Sequence, residues 1–182
     1  MEMKFNNVPN KSYKLDDGTV IWESRSVAVV AFIIVKTPYD KYILAGKRGK
    51  GSADYQGLWN VPCGYLDKNE NGTSSVIREV YEETGLELFK YLNTHKIIVN
   101  NLYQPWFVNT DPNENRQNVS LRYGCVLRLD ELPELNSDHS EPDEIEELKW
   151  ISINDINDYD WAFNHNRSIE DYWDIVEFET LL

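Results

Sequence analysis

The spacing of apolar positions changes several times along the chain, and each change marks an element. Residues 26–36, SVAVVAFIIVK, are apolar on both faces and rich in β-branched side chains. A strand of that kind is covered from both sides, so it is expected at the centre of a sheet. Residues 42–47, YILAGK, predict its hairpin partner across Thr37-Pro38-Tyr39-Asp40. Residues 57–65, GLWNVPCGY, are apolar but interrupted by Pro62, which predicts a strand end or a loop held against the core. Further strands are expected at 96–108, 119–129 and 148–151. The first two are joined by a hydrophilic decapeptide, NTDPNENRQN, which reads as a long hairpin loop and is either a specificity element or a connection.

Two segments carry helical spacing instead. In 73–84, TSSVIREVYEET, Val76 and Val80 lie four apart with Ile77 beside them. Thr73 or Ser74 can cap its start, and Gly85 stands where a left-handed residue ends a helix. Residues 168–181 place Ile169, Tyr172, Trp173 and Val176 at helical intervals. Strands before, between and after helices predict an α/β fold, a mixed sheet with helices on its faces. The first 20 residues are polar with a turn at Asp16-Asp17-Gly18. The expected organisation is an N-terminal arm (1–23) and one domain (24–182) that includes the C-terminal helix.

Composition narrows the possibilities. At 182 residues, with 41% hydrophobic and 27% charged positions, the chain can bury one substantial core. Cys63 and Cys125 are too few for a disulfide framework and read as reduced thiols, which points to the cytoplasm. The longest apolar run, 27–35, is about half of what a membrane span needs, and the N-terminus lacks the apolar core of a signal peptide. No membrane partner is therefore expected. A net charge of -13 argues against gripping duplex nucleic acid, which depends on cations displacing counterions. Anionic substrates are also disfavoured unless side-chain cations or metal ions gather locally.

Chemistry concentrates in 64–86, GYLDKNENGTSSVIREVYEETGL. Glu79, Glu82 and Glu83 stand at i, i+3 and i+4, so their carboxylates leave one helix face. They repel one another and sit in the half of the helix where its dipole disfavours anions. A divalent cation held by oxygen ligands would offset both effects, and such ligands favour magnesium or manganese. Taken alone, the stripe reads more simply as a solvated acidic face in a chain with 17 glutamates. A calcium loop starting at Asp67 also comes close, with Asn69, Asn71 and Gly72 in place. It fails because Arg78 occupies the position of the chelating glutamate.

The surrounding residues decide between these readings. Gly64, Glu70, Arg78-Glu79, Val80, Glu82-Glu83, Gly85 and Leu86 resemble the Nudix box at every fixed position. With this composition the seven non-aliphatic matches coincide at roughly 10⁻⁸ per starting position. The resemblance implies an α/β/α sandwich with a mixed sheet. It implies magnesium-dependent (or manganese-dependent) hydrolysis of a diphosphate linkage in a nucleoside diphosphate joined to another group. It also implies that Glu79, Glu82 and Glu83 bind the metal with the carbonyl of Cys63, where many members have glycine. Glu70 and Arg78 are expected to form a structural ion pair, beside the structural glycines Gly64 and Gly85. Water activated by the cation is the expected attacker. Glu82 is one candidate for the proton acceptor, and a loop acid within Glu141-Pro142-Asp143-Glu144 is the other. Of the loop acids Glu144 is preferred to Glu141, with Glu147 behind, although the loop reads equally as an acidic surface. Many relatives dimerise, so a homodimer is an open expectation.

Lys41, Lys47, Arg48 and Lys50 cluster just before the box. Arg48, followed by Lys47, is the expected phosphate contact, unless the cluster is only a solvated turn. Tyr103, Trp106 and Phe107 either stack a base or, as favoured here, pack on a half-buried strand. Trp59 and Trp150 read as core, and His95, His139 and His165 as incidental. The expected partner is a small phosphorylated nucleotide-type substrate. The rival reading, a non-catalytic nucleotide sensor or interaction module of the same fold, is disfavoured because such proteins usually lose box carboxylates and all four are kept here.

Overall fold

The structure is a computed structural model that describes residues 9–112 and 117–180. Strands β1 (Lys11–Lys14) and β2 (Val20–Glu23) form a two-stranded antiparallel hairpin of their own, and every residue of both is exposed. The turn expected at Asp16-Asp17-Gly18 closes it, with Gly18 at φ +87°. Within 11–23 the arm is therefore regular, but it buries nothing.

The main sheet is built around β3 (Val27–Lys36), where residues 29–35 are buried without a break. It pairs antiparallel with β4 (Lys41–Arg48) across the expected turn, in which the Thr37 hydroxyl accepts the backbone N–H groups of Tyr39 and Asp40. It pairs in parallel with β9 (Val119–Arg128) over ten residue pairs. Outside these lie β10 (Ile145–Ser152) against β4 and β7 (Ile97–Asn101) against β9. Short strands β5 (Trp59–Asn60), β6 (Cys63–Tyr65) and β8 (Phe107–Asn109) add to β4, β3 and β9. One parallel pair among antiparallel ones makes the sheet mixed, as expected.

Alternate residues of β3 feed two cores. Val29, Ala31, Ile33 and Val35 join Val76 and Val80 of α1 (Gly72–Thr84), whereas Val30, Phe32 and Ile34 join Ile169, Tyr172 and Val176 of α2 (His165–Thr180). A helix thus covers each face, which is why β3 has no polar side.

Three expectations need correction. Helix α1 is capped by Asn71, whose Oδ1 accepts the Ser74 N–H at 2.9 Å, and not by Thr73 or Ser74. The stretch 96–108 is two strands. Asn100 Oδ1 takes the Leu102 N–H and turns the chain, and pairing resumes only where the Trp106 N–H donates to the Arg122 carbonyl, just past Pro105. Trp150 is half-buried, with its indole N–H on the Pro133 carbonyl, while Trp59 is core. The 109–118 loop lies partly outside the described residues. Arg25 ties its two ends together by donating to the carbonyls of Thr110, Gln117 and Asn118. Among the described residues, no helix is long and apolar enough to cross a membrane.

Candidate active site

The loop through Val61-Pro62-Cys63-Gly64 brings β6 under the C-terminal half of α1. Pro62 ends one short strand, its carbonyl accepts the Ala31 N–H, and the chain re-enters the sheet at Cys63. Two box glutamates then meet this backbone directly. Glu83 Oε1 accepts the Cys63 N–H at 3.3 Å. The Glu79 carboxylate lies so close to Gly64 that a Cβ there would stand 2.2 Å from its Oε1. The box glycine is thus a cradle that only an absent side chain leaves open.

Electrostatics set these acids apart. Glu83 is buried, and its pKa is raised well above the ordinary carboxylate value by that burial, then by the charges of Glu79 and Glu144. Glu79 is raised for the same first reason, offset by Arg78 and reinforced by Glu82 and Glu144. Glu79 and Glu83 from one helix and Glu144 from a distant loop therefore feel one another's charge beside a backbone turn. Isolated buried anions are costly, so such an arrangement calls for a cation.

Glu144 reaches this place through close packing. The Gly49 N–H donates to the Glu144 carbonyl and the Gly51 N–H to the Asp143 carbonyl, both at 2.7 Å, and the Ser52 hydroxyl also donates to Glu144. A Cβ on Gly49 would stand 2.2 Å from the Asp143 carbonyl oxygen. Asp143 itself turns at φ +58°. Of the loop acids named from the sequence, Glu144 is the one whose charge is felt by Glu79 and Glu83, while Glu141 and Glu147 are exposed.

Arg78 occupies the centre of the box. It donates to Glu70 through Nε (3.0 Å) and Nη2 (2.9 Å), and through Nη1 to Glu79 at 2.8 Å and Glu82 at 2.9 Å. Another hydrogen bond reaches the Tyr65 carbonyl, so one guanidinium joins the box loop, the helix and β6. The Glu70–Arg78 pair holds Glu70 below the usual carboxylate range. Glu82 is turned to Arg78. Gly85 adopts φ +70° and closes α1 with its N–H on the Tyr81 carbonyl.

The donor set is oxygen-only: the carboxylates of Glu79, Glu82, Glu83 and Glu144 and the carbonyl of Cys63. That chemistry, together with the Gly64 cradle and the burial of Glu83, fits a hard divalent cation. Among the described residues no three acidic, histidine or cysteine side chains converge as they stand. Arg78 draws Glu79 and Glu82 to itself. Both cysteines are unpaired, and burial and then Glu83 push the Cys63 thiol up to about 12. Asn60, buried beside it, donates to the Val61 carbonyl and the Cys63 sulfur, and its Oδ1 lacks a partner among the described residues.

The expected substrate contacts fare differently. Arg48 is engaged by Asp54, accepting neighbours being its carbonyl (2.9 Å) and carboxylate (3.0 Å), and lies over the Phe163 ring. Lys47 is paired with Glu146 at 2.7 Å. Both cations are thus spent on protein carboxylates. Tyr103 is 62% exposed, in the bend between β7 and β8. Trp106 packs between Phe32 (5.4 Å between centroids) and Tyr172 (5.1 Å). His165 is not incidental. It is 4% exposed, its Nδ1 accepts the Val61 N–H, and its pKa is lowered to about 3 by burial and then by Arg122 and Arg48. His139 stacks on Tyr81, and His95 is exposed. Sequence reading also missed Gly49, Gly51 and Arg122. The one available signal was Gly-x-Gly in a basic turn.

The NUDIX domain model matches residues 25–172. Nudix hydrolase 2 of Arabidopsis thaliana is 28% identical over 143 residues, covering 76% of this chain and 43% of its own length, so the chain spans less than half of that relative. Among solved structures, the NUDIX domain of Shewanella oneidensis NrtR complexed with ADP ribose superimposes with a TM-score of 0.63 at 17% identity, over 85% of this chain and 90% of that one. A bifunctional NMN adenylyltransferase/ADP ribose pyrophosphatase from Francisella tularensis gives 0.59 at 23% identity, over 82% and 41%. The box spacing, the seating of Glu79 and Glu83 on Gly64 and Cys63 and a family match across most of the chain have one conclusion: the chain belongs to the Nudix family.

Proposed function

We propose that this chain hydrolyses a diphosphate linkage in a nucleoside diphosphate joined to another group, using magnesium or manganese. The observation that carries this reading is the seating of two box glutamates on one backbone turn, Glu79 against Gly64 and the buried Glu83 on the Cys63 N–H, with the charge of Glu144 felt by both. Glu79, Glu82, Glu83 and the Cys63 carbonyl would hold it. When bound, such a cation neutralises phosphate oxygens and acidifies water. The protein's own part is placement. Gly64 admits Glu79, the Cys63 N–H orients Glu83, and the Gly49–Ser52 turn holds the backbone of Glu144, whose carboxylate would accept a proton. Arg78 restrains Glu79 and Glu82 while linking them to Glu70. The ADP ribose named with two structural relatives supports a nucleotide-type substrate, and a reducing cytoplasmic setting suits the two unpaired thiols.

The test is a panel of nucleoside triphosphates, ADP-ribose, nucleotide sugars and dinucleoside polyphosphates, incubated with and without magnesium and read by product mass. Cation-dependent cleavage between two phosphorus atoms is expected. Tight binding of a panel member with no turnover of any would favour the non-catalytic sensor.

A further inference from the structure

On the α2 side of the sheet, next to Cys63, a second group of side chains is left unused by the acids. Arg122 pairs in register with Phe107 on β8 and with Val30 on β3, and Val30 pairs with Cys63. Two strand spacings therefore separate Arg122 from the proposed cation ligand, about 10 Å. The guanidinium lies over Phe107 at 5.0 Å and Trp106 at 6.0 Å from the ring centres. It is half-buried, and desolvation lowers its pKa. Asp171 of α2 is the carboxylate whose charge it feels, yet among the described residues no acceptor lies within hydrogen-bond or ion-pair distance of it.

Two neighbouring groups share this condition. His165 receives the Val61 N–H on Nδ1, so in the neutral ring the proton sits on Nε2, which has no acceptor among the described residues. The ring packs on Phe32, 6.3 Å between centroids, and Phe32 in turn packs on Trp106 at 5.4 Å. The Trp106 indole N–H is buried with no partner among the described residues. Guanidinium, imidazole N–H and indole N–H are all donors. These three groups offer donors and aromatic faces, and a planar group with adjacent acceptor atoms matches them.

We propose that Arg122, assisted by His165, reads the acceptor edge of the substrate's base while the base lies against Trp106 and Phe107, so that a keto base such as guanine is taken over adenine. This assignment rests on the proposed hydrolase reading for its link to turnover. A guanidinium meets guanine O6 and N7 with two parallel hydrogen bonds, whereas adenine presents a donor at the first of these positions. The aromatic faces favour a base over a terminal phosphate, which gains nothing from a ring beside it.

The test is calorimetric titration of metal-free protein with GMP, AMP and inorganic pyrophosphate. Wild type is expected to bind GMP about tenfold or more tightly than AMP. Arg122→Gln should erase or invert that preference, because a glutamine amide pairs with adenine instead. Arg122→Lys, which keeps the charge without the fork, should retain only part of it, and it carries the test with the wild-type ratio if the glutamine variant does not fold. Equal affinity for GMP and AMP, no binding of either, or an unchanged ratio in the variants would overturn the proposal. So would a loss confined to pyrophosphate, which would make Arg122 a phosphate contact. Turnover is not read in these titrations. Cleavage of guanine and adenine substrates alike, with equal GMP and AMP affinities, would remove the base assignment and leave the hydrolase reading standing. A GMP preference without cleavage of any substrate would do the reverse.

Discussion

On one side of Cys63 and Gly64, Glu79, Glu83 and Glu144 feel one another's charge; on the other, Arg122, His165 and Trp106 hold donors without acceptors among the described residues. The two regions are complementary halves of one binding problem. The first suits a cation and through it a diphosphate, and the second suits an uncharged planar ring with acceptor atoms. They differ in construction as well. The acids hang from one helix and one loop, pinned by glycines that let backbone and carboxylate touch. The donors come from β9, the bend before β8 and the start of α2, held by aromatic packing. Disturbing the first region should change turnover, and disturbing the second should change selection and stability.

The largest effect is expected from Glu83→Gln. Turnover should fall by orders of magnitude at saturating magnesium, while the metal-free protein melts at a higher temperature, because a buried and repelled carboxylate becomes a neutral amide that still accepts the Cys63 N–H. Near-wild-type rates, measured beside the melting curve, would detach the first region from catalysis. Gly49→Ala comes next. Its Cβ would meet the Asp143 carbonyl, so the backbone carrying Glu144 must move. A displacement of that kind is expected to cost about 100-fold in kcat with little change in KM. Steady-state kinetics that show only a KM change would mean Glu144 serves substrate binding instead.

A pH experiment separates the regions again. Unfolded histidine takes a proton below about 6.5, whereas folded His165 stays neutral down to about 3. Between those values the unfolded state binds more protons, so stability falls as pH falls, by up to about 1.4 kcal/mol per pH unit from this group. Urea unfolding at pH 6.5 and 4.5 should show a smaller decline in His165→Asn than in wild type. Equal declines would show that His165 protonates in the folded protein. The smallest effect is expected at Arg25→Ala, which releases both ends of the 109–118 loop. A loss of about 1–2 kcal/mol in the same unfolding assay is expected, with box chemistry unaltered.

What could be read from sequence follows the same division. The box was legible because its chemistry is local: spacings of three and four put carboxylates on one helix face, and the terminating glycine lies one residue beyond. Strand β3 was legible because a strand apolar on both faces has one place to go. By contrast, the partner of His165 Nδ1 lies 104 residues away, and no local pattern announces it. Arg48 reads as a phosphate contact without sight of Asp54, an unremarkable loop acid in the sequence that the turn brings back to bind it. The cap at Asn71 was missed because Thr73 and Ser74 are equally good capping residues, and the choice is made by where β6 and the box loop deliver the chain. Glu144 was one of several acids in its loop. Backbone contacts from Gly49 and Gly51 single it out, and those contacts are long-range.

The central claim is that Glu79, Glu83 and the Cys63 carbonyl hold a divalent cation. It is met most directly by anomalous scattering from crystals grown with manganese and a non-hydrolysable nucleoside diphosphate analogue. A manganese peak beside Glu79 and Glu83, with the analogue's phosphates against it, is the result expected. A well-ordered analogue with no peak there, and the two carboxylates still turned to Arg78 and the Cys63 N–H, would contradict it.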